Sequence, residues 1–205
     1  MRTLVIDTAT EACSVALFDD GALVAQNHVV VGRGHAERLL PMIAALPDQG
    51  KAERIAVDVG PGSFTGVRIG IAAARALAFA WNSELTGYSA LSMIAAAVRS
   101  EGCGEKDIAV AITGGHGELF WQIFERKQLQ PLSEPASTPI TELARTLSEH
   151  QVFGTGAAAL VDARGAGEAI SRHPDAANYP ILPTSLATLP PRPIYGRGAD
   201  ARPMA

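Results

Sequence analysis

The chain has 205 residues, enough for one large domain or two small lobes, and 47% hydrophobic against 19% charged is a globular rather than a disordered composition. Seventeen lysines and arginines face 21 aspartates and glutamates, a formal net charge of −4 with no basic cluster, which disfavours a chain that grips nucleic acid by itself. Cys13 and Cys103 are solitary, without CxxC or zinc spacing, and fit a reducing cytosol, so a cytoplasmic location is expected.

Met1-Arg2-Thr3 runs straight into the strand-like Leu4-Val5-Ile6-Asp7-Thr8, so no signal peptide is expected. No uninterrupted apolar run reaches about 18 residues, and no membrane partner is expected. Cys13 to Phe18 and Ala22 to Val31 read as two further strands, and Asp-Gly at 20–21 between them is a strong hairpin signal. His35 to Leu46 reads as a helix, kinked or restarted at Pro41.

Ile55 to Val59 is the next strand, followed by Gly60-Pro61-Gly62-Ser63-Phe64-Thr65-Gly66 and an apolar helix to Trp81. Ser63 or Thr65 offers the capping oxygen. From Gly66 to Trp81 the only charges are Arg68 and Arg75, so the helix is expected to be buried on more than one side. Gly66, Gly70, Ala74 and Ala78, four apart, predict a flat edge that another helix can approach. Leu85 to Tyr88 is read as a short strand, and Ser89 caps a helix to about Ser100.

At Asp107 the pattern restarts. Ile108 to Thr113 and Glu118 to Phe124 are strands around Gly114-Gly115-His116-Gly117. A polar turn, a helix from Thr138-Pro139 to about His150, and Val152-Phe153-Gly154-Thr155-Gly156 follow. Strands, hairpin, helix, strand and Gly-x-Gly thus occur twice, about a hundred residues apart, which reads as an internal duplication. The predicted lobes are 1–102 and 103–205. The second is reduced, with an irregular tail, since seven of the thirteen prolines lie between Pro174 and Pro203.

A carboxylate at a strand end, Asp7 beside Thr8, is suited to Mg²⁺ near a phosphate, and Gly60, Gly62 and Ser63 to a backbone phosphate cradle. The plainer reading of Asp7 is an acceptor for a neighbouring turn, and of Ser63 a helix cap. The loop lacks the Gly-Lys-Ser/Thr of a P-loop and the Gly-x-Ser-x-Gly of a nucleophile elbow. These five residues are therefore a candidate vestigial phosphate site. The five histidines form no HxxxH or HExxH pair, and no metal site is expected.

The runs Leu4 to Leu17 and Gly60 to Gly70 resemble the TsaB (YeaZ) family, with fainter likeness at Gly117 to Trp121, Gly154-Thr155-Gly156 and Pro193-Ile194-Tyr195. The chain departs from the family pattern at Thr113-Gly114-Gly115, where Asp-Ala-Arg is usual, at Val59 and at Gly196. The resemblance implies a duplicated actin-like (Hsp70-like) α/β fold of two lobes, the second truncated. It implies a non-catalytic dimerisation subunit that pairs with the catalytic paralogue TsaD for threonylcarbamoylation of the tRNA adenosine beside the anticodon, with the ATPase TsaE joining the assembly. The pairing surface would fall on the first-lobe helices, at His35, Leu39, Met42, Ile43, Phe64, Gly66, Val67, Gly70, Ala74 and Leu77. Without its partner the chain would form a homodimer through the same surface. Contact with tRNA would be indirect at most, and no cofactor is expected, a nucleotide at the partner interface being left open. The alternative is an actin-like ATPase or small-molecule kinase using Asp7 and the Gly60–Gly66 loop on Mg-ATP. Nothing in the residues supports a peptidase.

Overall fold

The computed structural model describes residues 1–102 and 107–194; Cys103 and the Tyr195-Gly196 step lie outside them. In chain order the first half contains β1 (Arg2–Asp7), β2 (Ala12–Asp19), β3 (Ala22–Val30), α1 (His35–Ala44), β4 (Arg54–Asp58), α2 (Phe64–Trp81), β5 (Glu84–Tyr88) and α3 (Ala90–Ser100). The second half contains β6 (Ile108–Thr113), β7 (Glu118–Phe124), β8 (Ala136–Pro139), α4 (Ile140–Thr146), β9 (Gln151–Phe153), α5 (Ala157–Arg164), β10 (Glu168–Ile170) and α6 (Thr184–Ala187).

Two five-stranded sheets result, ordered β3-β2-β1-β4-β5 and β8-β7-β6-β9-β10. In each, the first strand pairs antiparallel with the second and parallel with the fourth, so the duplication read from the sequence is a repeat of topology. The fold is the duplicated actin-like one. The hairpin turn forms at Asp20 (φ 45°) and Gly21 (φ 82°), both in the left-handed region that Asp-Gly supplies. β1 is apolar without alternation because elements cover both faces of its sheet. Helix α1 runs through Pro41, which sits on its exposed side.

Helix α3, capped by Ser89 Oγ accepting from Leu91 N at 3.2 Å, is buried from Ala90 to Val98. It packs against β6, β7 and β9, and the main core holds residues of both sheets around it.

The second half is reduced in its helices rather than in its sheet. α5 has 8 residues where α2 has 18. The sequence pattern predicts a helix from Thr138 to His150 and no strand before it. Ala136–Pro139 is instead an edge strand on β7, and the helix spans only Ile140–Thr146. At an edge, Thr and Pro are tolerated because one side of the backbone needs no ladder partner. β10 is likewise absent from the sequence expectations. Of the proline-rich stretch, residues 174–194 are described, and they return to the first half. A 3₁₀ helix, Ala176–Ile181, packs on β1, β2, β3 and α3. Gly87 and Leu189 exchange backbone hydrogen bonds at 2.7 and 2.8 Å, and Ile194 N donates to Val59 O at 2.8 Å.

Candidate functional site

β4 delivers Asp58 to the Gly60 loop, and the loop opens α2. Ser63 Oγ accepts from Gly66 N at 3.2 Å and so is the cap. Ser63 N donates to Ala9 O at 2.7 Å, Gly60 N to Asp58 Oδ1 at 2.6 Å, and Thr8 Oγ1 to Gly66 O at 2.8 Å. The glycines permit close approach. A Cβ on Gly62 would stand 2.2 Å from Ala9 O, on Gly66 2.1 Å from Thr8 O, and on Gly70 2.4 Å from Thr8 Oγ1. The five candidate phosphate residues are thus brought together, but two of the loop amides and the Thr8 hydroxyl are engaged within the protein. The loop is a clasp around the end of β1.

Asp7 and Asp58 are both fully buried, side by side, because β1 and β4 pair in parallel with Ile6 opposite Val57. Asp7 accepts from Ala9 N at 3.3 Å and from Tyr88 Oη at 3.1 Å; Tyr88 Oη also lies 3.0 Å from Ile6 O. The two carboxyls hydrogen-bond each other, which two acceptors do only when one carries a proton. Burial, with the Asp7 charge added, holds Asp58 well above the ordinary carboxylate range. Asp58 Oδ2 receives no hydrogen bond from a described donor. Among the described residues no lysine or arginine is buried, and no group of three or more His, Cys, Asp or Glu is placed to hold a metal ion. The sequence motifs point to Asp7 and pass over Asp58. An acid ending each of two apolar runs is the signal that would find the pair.

The turn after β1 is covered by the chain itself. Thr10 Oγ1 lies 3.4 Å from His173 Nδ1, Ser14 Oγ donates to Asp175 Oδ1 at 3.2 Å, and Ala176 N donates to Ser14 Oγ at 3.0 Å. A route for Mg-ATP to Asp7 would have to displace these residues.

The helix surface needs a correction. Of the ten residues assigned to the pairing surface, His35, Leu39, Met42, Ile43, Gly66, Val67, Gly70 and Ala74 are buried within this chain. α1 packs on β2 and α2, and α2 packs on β4, β1 and β5. His35 Nε2 meets Ala12 O at 3.2 Å, a structural bond. The Gly66-Gly70-Ala74-Ala78 edge faces the chain's own sheet rather than another molecule, because only glycine clears the end of β1. Leu77 is half-buried. Of the ten, only Phe64 is open, at 60% exposure.

A different arc of α2 faces outward: Phe64, Thr65, Arg68, Ala72, Arg75, Ala76, Phe79 and Ala80. At 3.6 residues per turn these span about 160°. Phe79 is 91% exposed, Leu40 on α1 is 54% exposed, and Arg68 Cζ stands 3.6 Å from the Phe64 ring centroid. Arg75 donates to Pro191 O at 2.8 Å. α2, 18 residues with mean hydropathy 1.2, is long and apolar enough to cross a membrane. Its cap and its packing on three strands instead hold it on the sheet.

A family model described as "TsaD: tRNA N6-adenosine threonylcarbamoyltransferase" matches residues 29–157. The chain is similar to the tRNA threonylcarbamoyladenosine biosynthesis protein TsaB of Escherichia coli (strain K12), 41% identical over 134 residues, covering 62% of this chain and 57% of that protein. With TsaB of Haemophilus influenzae it shares 36% identity over 63% of this chain and 56% of the relative, so the match spans little more than half of these curated relatives. Among solved structures, a Pseudomonas aeruginosa protein described as having similarity to peptidase YEAZ is 30% identical, with TM-score 0.78, covering 96% of this chain and 99% of that one. The ethanolamine utilization protein EutJ of Carboxydothermus hydrogenoformans is 14% identical with TM-score 0.50 over 89% of this chain and 90% of that chain, a likeness of fold alone.

Proposed function

The chain belongs to the family of the TsaD model and, within it, to the TsaB (YeaZ) line, and from that premise we propose that it serves tRNA threonylcarbamoyladenosine biosynthesis as a non-catalytic subunit that pairs with TsaD. The observation that carries the pairing is the outward arc of α2. Two phenylalanines and three alanines lie on one helix face, with Leu40 of α1 also open. Covering a phenylalanine is worth about 1.5–3 kcal/mol, so a partner that seats Phe64 and Phe79 gains several kcal/mol before association costs. Arg68, stacked on Phe64, and Arg75, held by Pro191 O, lie on the same arc. The absence of catalysis by this subunit is supported by the clasped Gly60 loop and by an Asp7 carboxylate spent on Tyr88, Ala9 and Asp58. The assembly we propose is cytoplasmic and includes TsaE.

The substitution that tests pairing is Phe79→Asp, since Gly70→Leu would drive a side chain into Thr8 and disturb the fold itself. Phe79→Asp is expected to leave the circular dichroism and unfolding midpoint of the isolated chain unchanged and to weaken capture of TsaD at least tenfold. Undiminished capture would remove α2 from the interface. Calorimetry of the isolated chain with Mg-ATP tests the enzyme alternative, and turnover lost in Asp7→Ala would overturn the non-catalytic reading.

A further inference from the structure

The edge of a sheet is a row of unpaired backbone donors and acceptors, and folded chains blunt it with short strands, charges, proline or a cover. Three of the four edges here are blunted. β8 has four residues and contains Pro139, β10 has three and contains Glu168, and β5 is bridged to the tail through Gly87 and Leu189. β3 is the fourth, and its nine residues include no charge at neutral pH and no proline. Its register shift, opposite Leu17 and Phe18, lies at the hairpin end and leaves residues 25–30 in a regular ladder. Four of the nine large hydrophobic side chains exposed among the described residues stand on this one strand: Leu23, Val24, Val29 and Val30.

We propose that β3 pairs antiparallel with β3 of a second copy of this chain, joining their two five-stranded first sheets edge to edge. The strand is complementary to itself. Leu23-Val24 and Val29-Val30 stand near its two ends, with Gln26 and Asn27 between them. An antiparallel partner therefore sets apolar ends against apolar ends, and amides, which both donate and accept, against amides. The flanking charges are opposite. Asp20, 86% exposed beside the Met1 ammonium, closes the hairpin before β3, and the exposed Arg33 follows the strand. Antiparallel pairing brings the Asp20 end of each copy to the Arg33 end of the other, whereas a parallel partner would set like charges together. A two-fold axis makes both contacts at once and closes the assembly at two copies, since each copy has one such edge. At about 3.4 Å per residue the edge is about 30 Å long, and with a thickness of about 10 Å two copies bury about 600 Å². That is below the roughly 1,200 Å² of stable complexes, so the pair forms and parts with concentration. α2 packs on β4, β1 and β5, across β2 from this edge, so its outward arc stays open in the pair.

Sedimentation equilibrium reads the number of copies and amide hydrogen exchange reads the surface, both between about 1 µM and about 300 µM chain. The Phe79→Asp chain is measured beside the unaltered one, so that association through the helices is separated from association through β3. In Phe79→Asp the mass is expected to climb toward two copies, with protection at residues 22–30 rising at least about threefold and that of residues 64–81 unchanged. Val30→Lys and Leu23→Lys each put a lysine on the edge at an exposed position, and should keep the circular dichroism of the fold while staying at one copy. Arg33→Glu sets an acid against Asp20 and should weaken pairing about fivefold, less so in high salt. A Phe79→Asp chain that stays at one copy, pairing without protection of β3, growth beyond two copies, or lysine variants that pair like the unaltered chain overturns the proposal.

Discussion

Replacing Asp58 with asparagine should make the chain more stable relative to the unaltered protein as pH rises. The native pair holds one proton between two fully buried carboxyls, with no buried lysine or arginine beside it among the described residues. Burial, joined by the neighbouring Asp7 charge, raises Asp58 above its value in the unfolded chain, so folding takes up a proton. The stabilising contribution of that group is complete below the unfolded carboxylate range at about pH 4 and is lost as pH climbs toward the raised folded value. One proton of difference is worth about 1.4 kcal/mol per pH unit, which sets the ceiling on how steeply the unaltered chain loses stability through this pair as pH rises. The asparagine side chain of Asp58→Asn would donate to Asp7 and accept from Gly60 N without titrating, and so should escape that loss. Urea unfolding of both chains at half-unit intervals between pH 5 and pH 7 measures the difference. If the two stability profiles run parallel within about 0.5 kcal/mol, the shared proton is wrong and both carboxyls are ionised in the fold.

Gly66→Ala would set a Cβ 2.1 Å from Thr8 O and should cost about 1–3 kcal/mol or more in unfolding free energy, while Gly115→Ala, with nothing within 4 Å, should be nearly silent. Tyr88→Phe removes the hydroxyl shared by Asp7 Oδ2 and Ile6 O, and should destabilise by about 1–3 kcal/mol in the same assay because buried acceptors lose a donor. Ser63→Ala should cost about 1 kcal/mol by removing the α2 cap. Cys13 is held by burial at a pKa of about 11, so roughly one thiol in a thousand is ionised at pH 8. Iodoacetamide should leave it unmodified in the folded chain and label it in urea, as read by peptide mapping.

Much of this protein is written locally. The Asp-Gly hairpin, the Ser63 and Ser89 caps, the buried runs of β1 and β4, and the repeat at about a hundred residues follow from turn chemistry and from which side chains tolerate burial. So does the TsaB likeness, because Gly60 to Gly70 is a set of close-approach requirements read in sequence order. The strands without a sequence signal, β8 and β10, are edges of four and three residues with Ser, Thr, Pro or Glu in them, too short and polar for periodicity to separate them from loops.

Three-dimensional packing decided the rest. Which arc of α2 faces its own sheet depends on the end of β1 reaching Gly66 and Gly70, a contact 58 residues away in the chain, so composition alone puts the flat edge on the wrong side. The pairing of Asp7 with Asp58 arises from the parallel register of β1 and β4, and the cover over Thr10 from a tail 163 residues downstream. Local preferences name the elements; only their assembly determines which polar groups meet, because burial and register are properties of the whole chain.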